Sequence, residues 1–166
     1  MGGNPEMRQL IWDSVLGADL NHRYYTELAD RLQYWDRGTK IFVAIMSSAA
    51  VTGWAVWGTP GLSWIWQSAS ALAAVVAVAQ PILDPTKSIK TASQLAGAWY
   101  GTHKDYQVLW TRVDTASGKE VRERCQELMT EEKRLAELGA TLTTRRQLAR
   151  RCEEEVRRSR STETGG

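Results

Sequence analysis

The side chains best suited to chemistry are few and scattered. His22 and His103 are the two histidines of the 166-residue chain. They stand far apart, and a lone histidine beside an aromatic stripe, as in Asn21-His22-Arg23-Tyr24-Tyr25, reads as structural or surface. Cys125 and Cys152 have neither CxxC spacing nor a nearby histidine, so they read as free thiols packed as small hydrophobes in a reducing compartment, not as a redox or metal pair. No HExxH, GxSxG, P-loop or GxGxxG spacing occurs. Asp and Glu are plentiful but sit among basic partners, the ordinary solvated pattern. The sequence therefore predicts no catalytic residue, no metal, no cofactor and no enzyme. The net charge of +2 gives no global nucleic-acid signal. The basic run Arg145, Arg146, Arg150, Arg151, Arg157, Arg158 and Arg160 is diluted by Glu153, Glu154 and Glu155, so no nucleic-acid partner is expected.

The remaining polar candidates lie inside an uncharged block. Between Lys40 and Asp84, 43 consecutive residues carry no Asp, Glu, Lys or Arg, in a chain that is 24% charged. Gly58-Thr59-Pro60-Gly61 divides the block with a turn signal. A bilayer core about 30 Å thick needs about 20 helical residues, so the block predicts a transmembrane hairpin with spans of about 39–57 and 62–82. Trp35, Trp54, Trp57, Trp64 and Trp66 flank these segments as interfacial anchors, where an indole keeps its ring apolar and its N–H wet. Arg31, Arg37 and Lys40 precede the hairpin and Lys87 and Lys90 follow it. The turn between carries no charge, which places both termini in the cytoplasm. No signal-peptide pattern precedes the spans.

Within the spans, Ser48 and Thr52 on the first and Gln67, Ser70, Ala74, Ala77 and Gln80 on the second are candidate pore-lining or span-packing residues. Small and polar residues let helices approach and seek partners in lipid. Packing is the simpler role, and lining a pore would require several chains. No ionisable residue lies in the block, which argues against a proton-coupled transporter or pump.

Elements outside the block read as helices. Residues 1–38 form an N-terminal amphipathic region. Met7, Leu10, Ile11 and Val15 mark a short helix, Gly17 a break, and Leu20, Tyr24, Leu28 and Leu32 a longer helix that runs toward the first span past Gly38. The hairpin occupies 39–83. Pro81 and Pro85 end the second span, and cytoplasmic helices fill 84–158. The first carries Ile89, Leu95, Trp99, Tyr106, Leu109, Trp110 and Val113, and Ser117-Gly118 ends it. The last carries Val121, Leu128, Leu135 and Leu142 seven residues apart, a coiled-coil-like seam interrupted by Glu132. That seam fits intramolecular packing and self-association equally well. Glu120–Arg124, Glu153–Arg157 and Glu154–Arg158 are expected i,i+4 pairs. Residues 159–166 read as a disordered tail. The fold class is an all-α membrane protein, a two-helix transmembrane hairpin with long amphipathic cytoplasmic helices before and after it.

This layout, with HRYYTELADRLQYWDRGTKIF entering a short span, a Gly-Pro turn, a second span, Pro81 and long helices, resembles the SLATT proteins over about residues 18–157. These are two-transmembrane effectors associated with nucleotide-producing and nucleotide-sensing modules in prokaryotic conflict systems. The resemblance implies a bacterial inner-membrane location. It also implies assembly into a homo-oligomer that forms pores or disrupts the lipid bilayer in antiviral defence, and triggering by a cytoplasmic sensor or nucleotide-signalling partner. The alternative is a passive membrane-anchored scaffold that recruits a cytoplasmic partner.

Overall fold

A computed structural model describes residues 5–56, 85–143 and 145–163, together with Ser68, Ala71 and Val75. All regular structure among these residues is helical. Helix α1 runs from Pro5 to Val56, α2 from Pro85 to Arg112, α3 from Gly118 to Gly139, and α4 from Arg146 to Glu163. The chain divides into two units, residues 1–29 with 90–166, and residues 30–89.

The first unit is a four-helix bundle, and its seams follow a coiled-coil spacing. On α2 the inward positions are Ala92, Leu95, Trp99, Thr102, Tyr106 and Leu109, alternating steps of three and four, and Val113 just past its end continues them. This 3.5-residue period keeps one stripe facing its neighbours along the whole helix. On α3, Val121, Cys125, Leu128 and Leu135 are buried with the same spacing. On α1, Ile11, Val15 and Ala18 begin the stripe, and Tyr24, Leu28 and Ala29 continue it. Helix α4 contributes Leu148, Cys152 and Val156. The seam on α3 is thus committed to the interior of its own chain, and Leu142 packs against the same core. Thr102 is tolerated there because its hydroxyl donates to the Ala98 carbonyl one turn back, 3.2 Å away.

Local signals set the helix boundaries. Prolines open α1 and α2, where the missing N–H has no intrahelical partner to lose. Ser117 caps α3, its hydroxyl accepting from the Glu120 N–H at 3.2 Å, with Glu120 at the capping-box position. Gly139 ends α3 at a point where a Cβ would collide with the Tyr25 hydroxyl, and Ala140 caps it in a helical conformation. The Arg145 N–H then donates to the Tyr24 hydroxyl at 3.1 Å, fixing the entry to α4.

Several sequence expectations are corrected. Gly17 does not break the first helix: α1 passes through it, and through Gly38, without interruption. A glycine costs a helix about 1 kcal/mol, and the buried Val15 and Ala18 on either side hold this one in place. Helix α4 continues to Glu163, so residues 159–163 are helical, not a disordered tail. Arg124 pairs with Glu127 and Asp105, not with Glu120. Glu153–Arg157 forms as expected, at 2.8 Å.

The largest correction concerns the membrane. Among the described residues, no helix is long and apolar enough to cross a membrane. In α1 the charges at Asp36, Arg37 and Lys40 leave an uncharged run only from Ile41 to Val56, 16 residues, short of the roughly 20 that a bilayer core requires. The transmembrane hairpin, the integral-membrane location and the bilayer-anchoring role of the tryptophans are therefore not supported. The second expected span, 62–82, lies outside the described residues apart from Ser68, Ala71 and Val75.

Candidate functional site

In the second unit, α1 presents an arrangement opposite to that of the bundle. Tyr34, Trp35, Ile41, Phe42 and Ile45 are exposed, at 81%, 66%, 59%, 37% and 60%. Successive helical residues are about 100° apart, so these side chains and Gly38 share one stripe roughly 120° wide and about 17 Å long. On the far side of the helix sits Asp36, its side chain only 12% exposed. One oxygen of Asp36 receives Lys40 Nζ at 2.6 Å. The other, Oδ1, is enclosed and has no hydrogen-bond partner. The apolar face is exposed, and the carboxylate is screened from solvent.

Gly38 lies in the middle of the stripe, and a Cβ built there meets nothing within 4 Å. The stripe is therefore flat at its centre, a shape that lets another helix approach closely. Thr39 does not disturb it, because its hydroxyl donates back to the Trp35 and Asp36 carbonyls, each at 3.0 Å.

The expected site residues separate as follows. Trp35 is on the exposed stripe. Ser48, Thr52 and Trp54 lie on the backbone of α1, their side chains outside the described set. Trp57, Trp64, Trp66, Gln67, Ser70, Ala74, Ala77 and Gln80 lie outside the described residues. The structure therefore assembles no pore-lining or span-packing group from them. Tyr34, Ile41, Phe42 and Ile45 were not expected as a site. Their signal was the 34, 38, 41, 45 spacing beside Trp35 and Phe42.

In the bundle, the two histidines sit at one helix pair. His22 Nδ1 lies 2.9 Å from the Ala96 carbonyl, and His103 Nδ1 lies 3.0 Å from the Val15 carbonyl. A carbonyl can only accept, so Nδ1 carries the proton in both rings. The two bonds are reciprocal between α1 and α2 and fix their antiparallel register. Between α1, α2 and α3, the Tyr106 hydroxyl is enclosed with no hydrogen bond of normal geometry. Ser14 and Glu132 are polar side chains that face it. Burial first, and then the Glu132 charge, raise the Tyr106 pKa. Burial raises the Glu132 carboxyl, with the Tyr106 hydroxyl opposing, and burial followed by the Glu132 charge raises the Cys125 thiol. A thiol pushed upward is a poor nucleophile, so Cys125 behaves as a packing residue. Cys152 is also buried, its thiol 3.8 Å from Glu27 Oε2. No group of three or more metal-ligating side chains occurs among the described residues.

No family model matches the chain, and no curated protein or solved structure does.

Proposed function

We propose that this chain is a non-enzymatic helical module that works by association with further copies of itself, through the α1 stripe at Tyr34, Trp35, Gly38, Ile41, Phe42 and Ile45. The observation that carries this reading is the inverted burial around Asp36, with the apolar face outward and the carboxylate enclosed. Scaled by their exposures, the five side chains present on the order of 600 Å² of apolar surface, at the upper end of what a monomer ordinarily leaves bare. A standard interface takes about 800 Å² from each partner, so two such stripes nearly suffice for a stable contact. Gly38 at the centre favours a helix as the occupant, and a second copy supplies one of matching shape. The α3 seam is not available for this role, because it is buried in its own bundle.

The resemblance to the SLATT proteins supports the regulated part of this reading: assembly of an effector under the control of a partner or nucleotide signal. Its membrane-spanning part is not carried forward.

Sedimentation velocity over a concentration series tests the proposal. The expected result is a mass that rises with concentration for the full chain. With Ile41→Glu the chain should stay monomeric and keep its helical circular dichroism. A monomer at every concentration overturns the proposal, as does association that Ile41→Glu leaves unchanged. Flotation with phosphatidylcholine vesicles, without self-association in their absence, overturns it as well.

A further inference from the structure

A second feature, independent of the stripe, lies in the bundle. A groove of about 530 Å³ runs between α1 and α2, with Val156 of α4 at its side. That volume is in the range of small-molecule clefts. On α1, Trp12, Asp19 and Arg23 line it, spaced to lie on one helix face. On α2, His103, Gln107 and Trp110 do the same.

The chemistry of the lining is specific. Trp12 and Trp110 stand 5.2 Å apart between ring centroids, tilted by 45°, and Trp12 remains 40% exposed. Arg8 covers Trp110 at 5.0 Å from its centroid. Because His103 Nδ1 donates to the Val15 carbonyl, Nε2 is the nitrogen that accepts in the uncharged tautomer. One turn on, the Gln107 carboxamide oxygen already accepts from Lys104 Nζ at 3.2 Å, which leaves its NH₂ to donate. Both side chains line the groove one turn apart on α2, and Trp12 and Trp110 line it as well. The arginines and carboxylates nearby are paired with one another, while the Lys104 ammonium bonds the Gln107 oxygen and lies over the Tyr100 ring. Arg23 Nε bonds both oxygens of Asp19 at 3.2 and 3.0 Å, and Arg8 bonds both oxygens of Asp114 at 3.1 and 3.0 Å.

We infer that this groove binds a neutral, planar aromatic molecule carrying a carboxamide or lactam edge. The ring would pack on the exposed Trp12 indole. The amide N–H would donate to His103 Nε2, and the amide carbonyl would accept from the Gln107 NH₂. A donor–acceptor pair on the protein selects a group that both accepts and donates, because an analogue lacking either leaves a polar atom unpaired. The compensated arginines give an anion no advantage.

Benzamide is a suitable probe, followed by fluorine NMR of the full chain labelled with 5-fluorotryptophan. With eight tryptophans, the resonances of Trp12 and Trp110 can be identified from Trp12→Phe and Trp110→Phe. The expected result is a saturable shift of those two, with Kd on the order of 1 mM for so small a ligand. N,N-dimethylbenzamide and benzoate, neither of which can donate, should each bind at least about tenfold more weakly. Gln107→Leu, a substitution at an exposed position, should weaken benzamide by a similar factor while leaving the thermal midpoint unchanged. Absence of a saturable shift at tens of millimolar benzamide overturns the inference. Equal binding of benzamide and its dimethyl analogue also overturns it, since that would be contact with any aromatic ring.

Discussion

The bundle and the stripe use one kind of helix in opposite ways. In residues 5–29 of α1, the apolar side chains Ile11, Val15 and Leu28 are at most 5% exposed. Twelve residues or fewer beyond Ala29, on the same continuous helix, Tyr34, Trp35 and Ile41 are more than half exposed while the Asp36 side chain is only 12% exposed. Helix formation itself does not distinguish the two stretches. What differs is the presence of covering helices. In the bundle, α2, α3 and α4 supply them from the same chain, whereas the stripe has an apolar face with no such cover among the described residues. An apolar face left bare costs free energy in proportion to its area, and association removes that cost.

This contrast predicts a graded set of responses. The largest belongs to the bundle core. Leu95 is fully buried, so Leu95→Ala should lower the unfolding free energy by about 3 kcal/mol, measured by urea denaturation. A loss below about 1 kcal/mol would mean that the bundle is not packed as described. Next comes the α3 terminus. Gly139→Ala places a methyl group against the Tyr25 hydroxyl and should cost about 2 kcal/mol, with Tyr25→Phe recovering part of it in the double variant. Neither substitution touches the stripe.

A smaller effect, with a defined sign, comes from Glu132. Burial raises its folded-state pKa above the ordinary 4.5. The folded chain therefore keeps a proton that the unfolded chain has released. Its contribution is most favourable below the ordinary value and is lost as pH rises through the raised one. Glu132→Gln should accordingly become more stable than the parent as pH increases from about 4 to 7, a difference read from paired melts along the pH series. A constant difference would show that Glu132 titrates as in water. Smallest is the stripe itself. Ile41→Ser should change the stability of the monomer by less than about 0.5 kcal/mol in dilute chemical denaturation, as expected of an exposed position. A core-like loss there would erase the contrast between the two regions.

How much of this was legible depended on range. The α3 seam was readable because Val121, Leu128 and Leu135 recur every seven residues and are all strongly apolar. The α2 seam is harder to see in the sequence, since Ala92 and Thr102 complete its period without standing out as hydrophobic. The histidine pairs were not readable. Each joins positions more than seventy residues apart, His22 to Ala96 and His103 to Val15, and nothing local marks a ring that donates to a distant helix. The break expected at Gly17 failed for a related reason: packing at Val15 and Ala18 outweighs a local propensity of about 1 kcal/mol. Near residues 34–45 the charges were legible but their orientation was not. Asp36–Lys40 has the spacing of an ordinary solvated pair, and only the structure shows Asp36 screened from solvent. The uncharged block suggested spans by its length, whereas the uncharged part of the α1 helix that is described covers 16 residues.

The central claim is that the stripe pairs with its own kind, and a single introduced thiol tests it most directly. Cys125 and Cys152 are buried, so Ile41→Cys adds one accessible sulfur per chain at the middle of the stripe. A disulfide can form only where two Cα atoms come within about 7 Å. Mild oxidation of Ile41→Cys should give a covalent dimer in high yield, while Val108→Cys, on the exposed surface of the bundle, should stay monomeric. No covalent dimer from Ile41→Cys, or equal crosslinking at both positions, would contradict the account.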